Sequence, residues 1–310
     1  MLRPTPTLVG LLLACAALAL TPGCGPHFEH TAERSLAASD ELVCQGYLVW
    51  NQEPVRDVFL VINGSGTLSN AFVHPTFERT LEAQPVAYLT YDKPGIHAPF
   101  GDPGAVRRDP ALFQRYTLGH GVECATDALR WAREQFGDAV RLHLRGHSEG
   151  ALVALYTYDA LLDQDPGTGD RVATVVLSGV ALEPFANILE RQLATVPGGD
   201  RLREALAECD EPVLAEHLGV SCAYVADAVQ RPSGRAMFER LAEHPAAVPF
   251  HIFNGTEDWN TPVQPVRDLE AWNTAQGQLD ITFHYYEGGH QGSDEARAEL
   301  EELLTAIVSR

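Results

Sequence analysis

Basic residues are scarce in this 310-residue chain: 22 Lys and Arg stand against 42 Asp and Glu, a formal net charge of −20. No run of Lys or Arg occurs anywhere, so the cationic footprint that a phosphate backbone requires is missing and nucleic acid is not expected as a partner. The excess of acid reads as a well-solvated surface. Repeats and low-complexity tracts are absent, and with 45% hydrophobic and 21% charged residues the chain can bury a sizeable core. Neither CxxC nor any His/Cys spacing marks a metal site, so no metal is expected. The Gly-rich stretch Asn63-Gly64-Ser65-Gly66 lacks the Gly-Lys-Ser/Thr continuation of a phosphate cradle.

A membrane-spanning run is missing as well. The longest apolar stretch, Thr7 to Leu20, has about 14 residues, too few to cross a bilayer but suited to a signal-peptide core behind Arg3. Thr21-Pro22-Gly23-Cys24 follows it and resembles a bacterial lipobox, with Gly23 fitting the pattern and Thr21 standing where Leu is preferred. Residues 1–23 are therefore expected to be a leader, with Cys24 lipidated and the protein held at the periplasmic or outer-membrane surface by that anchor alone. Ordinary cleavage without a lipid is the alternative.

Six cysteines are present. With Cys15 in the leader and Cys24 on the lipid, Cys44, Cys124, Cys209 and Cys222 remain, an even set in an oxidising compartment. Three pairings are open to them, Cys209 with Cys222 being the local choice; four buried thiols is the other reading.

Beyond a polar stretch read as a linker over 24–41, short apolar runs alternate with helical patterns. Val58 to Ile62, Val86 to Tyr91, Val140 to Leu144, Val172 to Leu177, Phe250 to Phe253 and Leu279 to Tyr286 have strand length. Helical periodicity covers about Gly121 to Phe136, Glu149 to Leu162, Val263 to Thr274 and Ser293 to Val308. This alternation predicts a mostly parallel sheet covered by helices on both faces, an α/β fold. From Ala181 to Pro249 no strand pattern appears, and a structureless loop of that length is improbable, so 181–249 is expected to be a helical cap between two core segments, 42–180 and 250–310.

Gly146-His147-Ser148-Glu149-Gly150 is a G-x-S-x-G match lying directly between a strand and a helix. Such a turn forces the serine into a strained conformation and presents its hydroxyl at a helix N-terminus, where developing negative charge is favoured. A serine hydroxyl needs a base, and the base an orienting acid. After a late strand, Gly255-Thr256-Glu257-Asp258-Trp259-Asn260-Thr261-Pro262 supplies Asp258, with Glu257 and Glu183 as weaker substitutes. Glu287-Gly288-Gly289-His290 supplies His290 between the last strand and the last helix. Two N–H donors for an oxyanion are expected from the backbone of Glu149 and from the loop after an early strand, at Ser65 with Gly66 next.

Together these segments, with Tyr91-Asp92-Lys93-Pro94-Gly95 looking like a D-x-R-G loop in which Pro94 replaces Arg, give the chain from Leu42 to Ser309 a resemblance to the α/β-hydrolase superfamily, near its esterase and serine-peptidase branches. The resemblance implies an eight-stranded, mostly parallel sheet, a helical cap after the sixth strand and no cofactor. It suggests hydrolysis of an ester, amide or thioester without identifying the substrate; a small-molecule carboxylic ester is expected because a triad of Ser148, Asp258 and His290 suffices for it. Two alternatives stay open: a peptidase acting on short peptides, with Glu183 or Glu204 gripping the amine, and a lipoprotein that keeps the fold as a silent binding module.

Overall fold

The computed structural model describes residues 28–39, 41–73, 77, 84–195, 198–244 and 248–309. The expected leader, residues 1–23 with Cys15, and the expected lipid site Cys24 lie outside them. Among the described residues, no helix is long and apolar enough to cross a membrane.

Eight strands form one sheet: β1 (His30–Ala37), β2 (Val43–Trp50), β3 (Asp57–Ile62), β4 (Val86–Asp92), β7 (Arg141–His147), β8 (Val172–Ser178), β9 (Phe250–Gly255) and β10 (Ile281–Tyr286). Their spatial order is β1-β2-β4-β3-β7-β8-β9-β10. Only the β1–β2 and β2–β4 pairings are antiparallel; the other five are parallel. The two-residue strands β5 (Ile96–His97) and β6 (Arg107–Arg108) form a separate ribbon.

The continuous apolar runs are the central strands, as a sheet covered on both faces demands. All six residues of β3 and all seven of β4 are buried. Alternate side chains divide the core. Val58, Leu60 and Ile62 join one cluster with Leu129, Leu155 and Phe250, while Phe59 and Val61 join another with Phe253, Leu300 and Leu304. The first cluster is covered by α2 (Leu118–Phe136) and α3 (Glu149–Gln164), the second by α11 (Asp294–Val308). The short helices α1 (Pro110–Phe113) and α4 (Pro166–Gly169) are turns, each started by an Asp whose side chain accepts from backbone N–H groups.

Five helices occupy the stretch without strand pattern: α5 (Phe185–Thr195), α6 (Gly199–Glu208), α7 (Glu211–His217), α8 (Cys222–Gln230) and α9 (Gly234–Leu241). Between β8 and β9 no strand occurs among the described residues. The helix α9 rests on the core, with Phe238 edge-on to Phe250 at 5.4 Å and Arg240 paired with Asp159 at 2.8 Å. Two disulfides close, Cys44–Cys124 and Cys209–Cys222. The first ties β2 to α2; the second ties the end of α6 to the start of α8, across α7. Both fit the oxidising compartment expected from the cysteine count.

Two expectations need correction. The stretch 24–41 is not simply a linker, because His30–Ala37 within it is β1, paired along its whole length with β2. Only Leu36 of that edge strand is buried, so its sequence carries no apolar signal. The strand begun near Val140 runs on to His147, through Arg145 and Gly146, and so reaches the residue before Ser148.

Candidate active site

At the end of β7 the chain turns into α3 through Ser148, whose φ of 55° and ψ of −121° lie in a region that L residues avoid. The flanking glycines make the turn sterically possible. A Cβ on Gly146 would stand 2.2 Å from the carbonyl oxygen of Gly150, and one on Gly150 would stand 2.1 Å from that of Ile62. The elbow is thus wedged between α3 and the end of β3, and either side chain would force them apart. The Ser148 N–H donates to Ser178 O at 2.9 Å, which fixes the turn against the end of β8.

The loop after β9 carries Asp258, which is 4% exposed. Its Oδ1 accepts from the backbone N–H groups of Asn260 (2.9 Å) and Thr261 (3.0 Å). Its Oδ2 accepts from Thr261 Oγ1 at 2.6 Å and from His290 Nδ1 at 2.8 Å. Burial alone pushes the Asp258 pKa up, but the hydrogen bond and charge of His290 and the Thr261 donors outweigh it, leaving the carboxyl below its ordinary value. It is therefore an anion at neutral pH, aimed at one nitrogen of one imidazole. Glu257 is exposed, and Glu183 pairs with Arg191 at 2.7 Å instead of reaching the histidine.

His290 follows β10 on the Gly288-Gly289 lead-in. Gly288 has φ of 132°, and its carbonyl accepts from Glu257 N at 3.0 Å, which knits the acid and base loops together. Gly179, at the end of β8 with φ of 57°, lies so close that a Cβ there would stand 2.9 Å from His290 Cε1. The His147 ring is 4.9 Å from the His290 ring, which brings the base to the elbow. Among the described residues no hydrogen bond joins the Ser148 hydroxyl to His290, whose Nδ1 is taken by Asp258 and Thr261. Contacts of this kind tighten when substrate binds.

The loop from Asn63 to Asn70 crosses the other side of the serine. Gly64 sits against it, with a Cβ there falling 3.1 Å from Ser148 Cβ and 3.6 Å from Ser148 Oγ. Ser65, next along, is exposed. The loop is braced by Asp92, which accepts from Asn70 N and, at 2.7 Å, from Ser69 Oγ, and by Asn63 Nδ2 donating to Asn70 Oδ1 at 2.8 Å. Glu149, directly after the serine, buries its side chain. There its Oε1 meets Lys93 Nζ at 2.9 Å and accepts from Tyr116 OH at 3.2 Å. Burial, together with the Glu149 charge, pushes the Tyr116 and Tyr224 hydroxyls well above the usual tyrosine range, so both keep their protons.

Three features of the site escape a reading of motifs. Thr261 supplies two of the four contacts to Asp258. Arg191 and Gln192 on the cap helix α5 hold the acid loop, Arg191 donating to the carbonyls of Trp259 and Asn260 at 3.1 Å each and Gln192 to Asn260 Oδ1 at 3.2 Å. Lys93 joins the loop after β4 to Glu149; the usable signal was that it is the chain's single lysine, directly behind a buried strand. Among the described residues, the one group with metal-ligand chemistry is Cys209, Glu211 and Cys222, whose two sulfurs are joined to each other.

Strand order, the lone antiparallel strand β2 within a parallel run, the elbow and the acid–base loops together define the α/β-hydrolase fold. Solved structures of that fold superpose over nearly the whole chain. A highly thermostable carboxyl esterase from Bacillus coagulans, solved with glycerol, matches at 15% identity and a TM-score of 0.60, covering 90% of this chain and 98% of its own. An esterase from Pyrococcus furiosus matches at 13% identity and a TM-score of 0.59, covering 91% of each chain. A lipase in its open form matches at 18% identity and a TM-score of 0.60, covering 91% of this chain and 99% of its own. No family model matches the chain, and no curated protein matches it in sequence.

Proposed function

We propose that this protein is a serine hydrolase that cleaves a small-molecule carboxylic ester through an acyl-enzyme on Ser148. The observation that carries the reading is the Asp258–His290 hydrogen bond at 2.8 Å, with the His290 ring 4.9 Å from that of His147, the residue before a serine held at positive φ. With Nδ1–H donated to Asp258, the imidazole is held in the tautomer whose Nε2 carries the free lone pair. His290 takes the Ser148 proton as the hydroxyl attacks the carbonyl carbon. It then returns that proton to the departing alcohol, and repeats both steps with water to release the acid. The backbone N–H groups of Glu149 and Ser65 receive the tetrahedral oxyanion.

Esters are preferred over peptides because neither cap acid proposed to grip an amine is poised to do so. Glu183 is neutralised by Arg191, and Glu204 stands exposed on α6. The esterase and lipase names among proteins of the same fold point the same way. The partner is thus a small ester, with the membrane engaged through a lipid on Cys24. Intact mass of membrane-extracted protein should show an acylated N-terminal Cys24; an unmodified N-terminus elsewhere removes the anchor.

A fluorophosphonate probe tests the activity. Covalent labelling should map to Ser148 by peptide sequencing and vanish in Ser148→Ala, together with turnover of nitrophenyl acetate. A folded Ser148→Ala protein that still labels or turns over at the parent rate assigns the chemistry elsewhere, and an unlabelled parent favours the silent binding module.

A further inference from the structure

Lys93 is the chain's single lysine, and it is 8% exposed at the C-terminal end of β4. An ammonium is costly to bury and persists only where opposite charge and acceptors compensate it. Its Nζ has two such partners, Glu149 Oε1 at 2.9 Å and Gly64 O at 3.0 Å, with the Tyr116 ring 5.4 Å away. The Glu149 carboxylate depends on this contact. Lys93 and Tyr116 both engage Oε1, while the buried Oε2 has no hydrogen-bond partner.

These two partners are not arbitrary neighbours. Gly64 belongs to the loop that offers the Ser65 N–H, and Glu149 itself offers the other N–H. A trans peptide points its C=O and N–H in opposite directions, and the Gly64–Ser65 bond is trans. Holding Gly64 O on the lysine therefore aims the Ser65 N–H away from it, in a loop whose Gly64 already touches Ser148. Asp92 secures the far end of the same loop, through Ser69 and Asn70. The near end is secured by Lys93.

We infer that Lys93 is a positioning residue, one ammonium that clamps the Asn63–Asn70 loop to the first turn of α3 and so sets the separation of the two oxyanion donors. The inference rests on the reading of Ser148 as nucleophile. A clamp of this kind acts on the tetrahedral species rather than on the bound ester, because only the former carries a full charge on the oxygen the donors face.

Lys93→Met alone would leave the Glu149 carboxylate buried without its cation and endanger the fold. The informative variant is Lys93→Met/Glu149→Gln, which removes both charges together. It should fold with a thermal midpoint close to the parent's. Its kcat on nitrophenyl acetate should fall about 10- to 100-fold with KM changed by less than about 3-fold. A trifluoromethyl ketone, whose serine adduct places an oxyanion between the donors, should bind more weakly by a similar factor. A merely structural ion pair predicts the opposite: a folded double variant with kcat and ketone affinity within about 2-fold of the parent overturns the positioning role. Should the double variant not fold, Lys93→Leu/Glu149→Met, which replaces the ion pair by apolar side chains, is read on the same assays with the same two outcomes. Fluorophosphonate labelling separates the two failures. A labelled parent with an unaffected double variant removes only the lysine's role, whereas an unlabelled parent removes the nucleophile itself.

Discussion

Strand β3 buries all six of its residues, whereas the cap helix α7 buries Leu214 alone. The same contrast holds across the two regions. The sheet is sealed by two apolar clusters, while α5 buries only Ile188 and Leu193, and α8 only Tyr224 and Ala228. Five short helices with so little apolar area between them cannot stand alone. They lean on the sheet's first cluster through Ile188, Tyr224, Ala228, Met237, Phe238 and Leu241, and discrete contacts add to this: the Cys209–Cys222 staple, Arg240 on Asp159, and Arg191 on the loop of Asp258. The sheet places Ser148, Asp258 and His290 by packing, whereas the α5–α9 segment meets the Asp258 loop through Arg191 and Gln192, which suits a part proposed to select substrate rather than to perform the chemistry.

If that division holds, changes at the sheet's catalytic loops should dwarf any in the cap. Asp258→Asn keeps the shape of the acid loop but offers His290 an amide, favouring the wrong tautomer. A drop of about 10⁴-fold in kcat is expected, near 5.5 kcal/mol in the barrier. Glu257→Gln, one residue away and exposed, should stay within about 2-fold. Steady-state rates of the two purified variants on one ester decide the matter, and the reverse ranking would move the acid. The same substitution has a pH signature. The pKa of Asp258 is depressed in the folded protein, so the stability it contributes is present above its unfolded value and is lost as pH falls through its folded one. Thermal midpoints recorded from about pH 5 down to about pH 2 should therefore fall more steeply for the parent than for Asp258→Asn.

The two disulfides extend the comparison to stability. Cys44–Cys124 spans 80 residues of the core and Cys209–Cys222 spans 13 of the cap. Chain entropy gives about 4.5 kcal/mol for the first and about 3 kcal/mol for the second, as upper figures. More telling is where the loss should appear. Cys44→Ala/Cys124→Ala should lower the global denaturant midpoint. Cys209→Ser/Cys222→Ser should leave that midpoint nearly in place, open residues of α7 and α8 to limited proteolysis and shift the preferred ester length. Turnover of an acetyl ester should survive. Equal shifts in the global midpoint for both pairs would mean that cap and sheet unfold as one unit.

The sheet and the turn at Ser148 were legible for the same physical reason that they are robust. Continuous runs such as Val58 to Ile62 have few interpretations, and Gly146 and Gly150 are dictated by backbone oxygens that an added Cβ would meet at 2.2 and 2.1 Å. What stayed hidden depends on tertiary partners. Strand β1 reads as polar because its pairing with β2, not its own burial, makes it a strand. The clamp at Lys93 joins positions 64, 93 and 149, and nothing local in any of the three announces the others. Thr261 resembles any turn residue until its hydroxyl is seen on Asp258. Within the cap, helical periodicity was readable, but not which loop touches the catalytic face.

That loop is the turn between α7 and α8, and it offers the finest test. Gly219 has φ of 66°, and a Cβ there would stand 2.9 Å from Gly66 Cα and 3.3 Å from Gly66 N. Its neighbour across the contact is in the loop that carries Ser65, so at this point the cap rests directly on the backbone expected to hold the oxyanion. Gly219→Ala adds one methyl group. The left-handed conformation alone costs about 1–2 kcal/mol for a residue with a Cβ, and the opposing atoms are backbone, which cannot swing aside as a long side chain would. The turn must lift by some tenths of an ångström, while the loop below, held by Asp92 and Lys93, stays where it is. Global stability should therefore change little, and acetyl ester turnover should remain within about 2-fold. The ratio of kcat/KM between a long and a short nitrophenyl ester should move by about 3-fold or more, because the turn between α7 and α8 has shifted over the loop that carries Ser65. An unchanged ratio in a folded Gly219→Ala protein would mean that the contact with Gly66 does not take part in selecting substrate, and the cap's influence would then have to run through α5 and the acid loop.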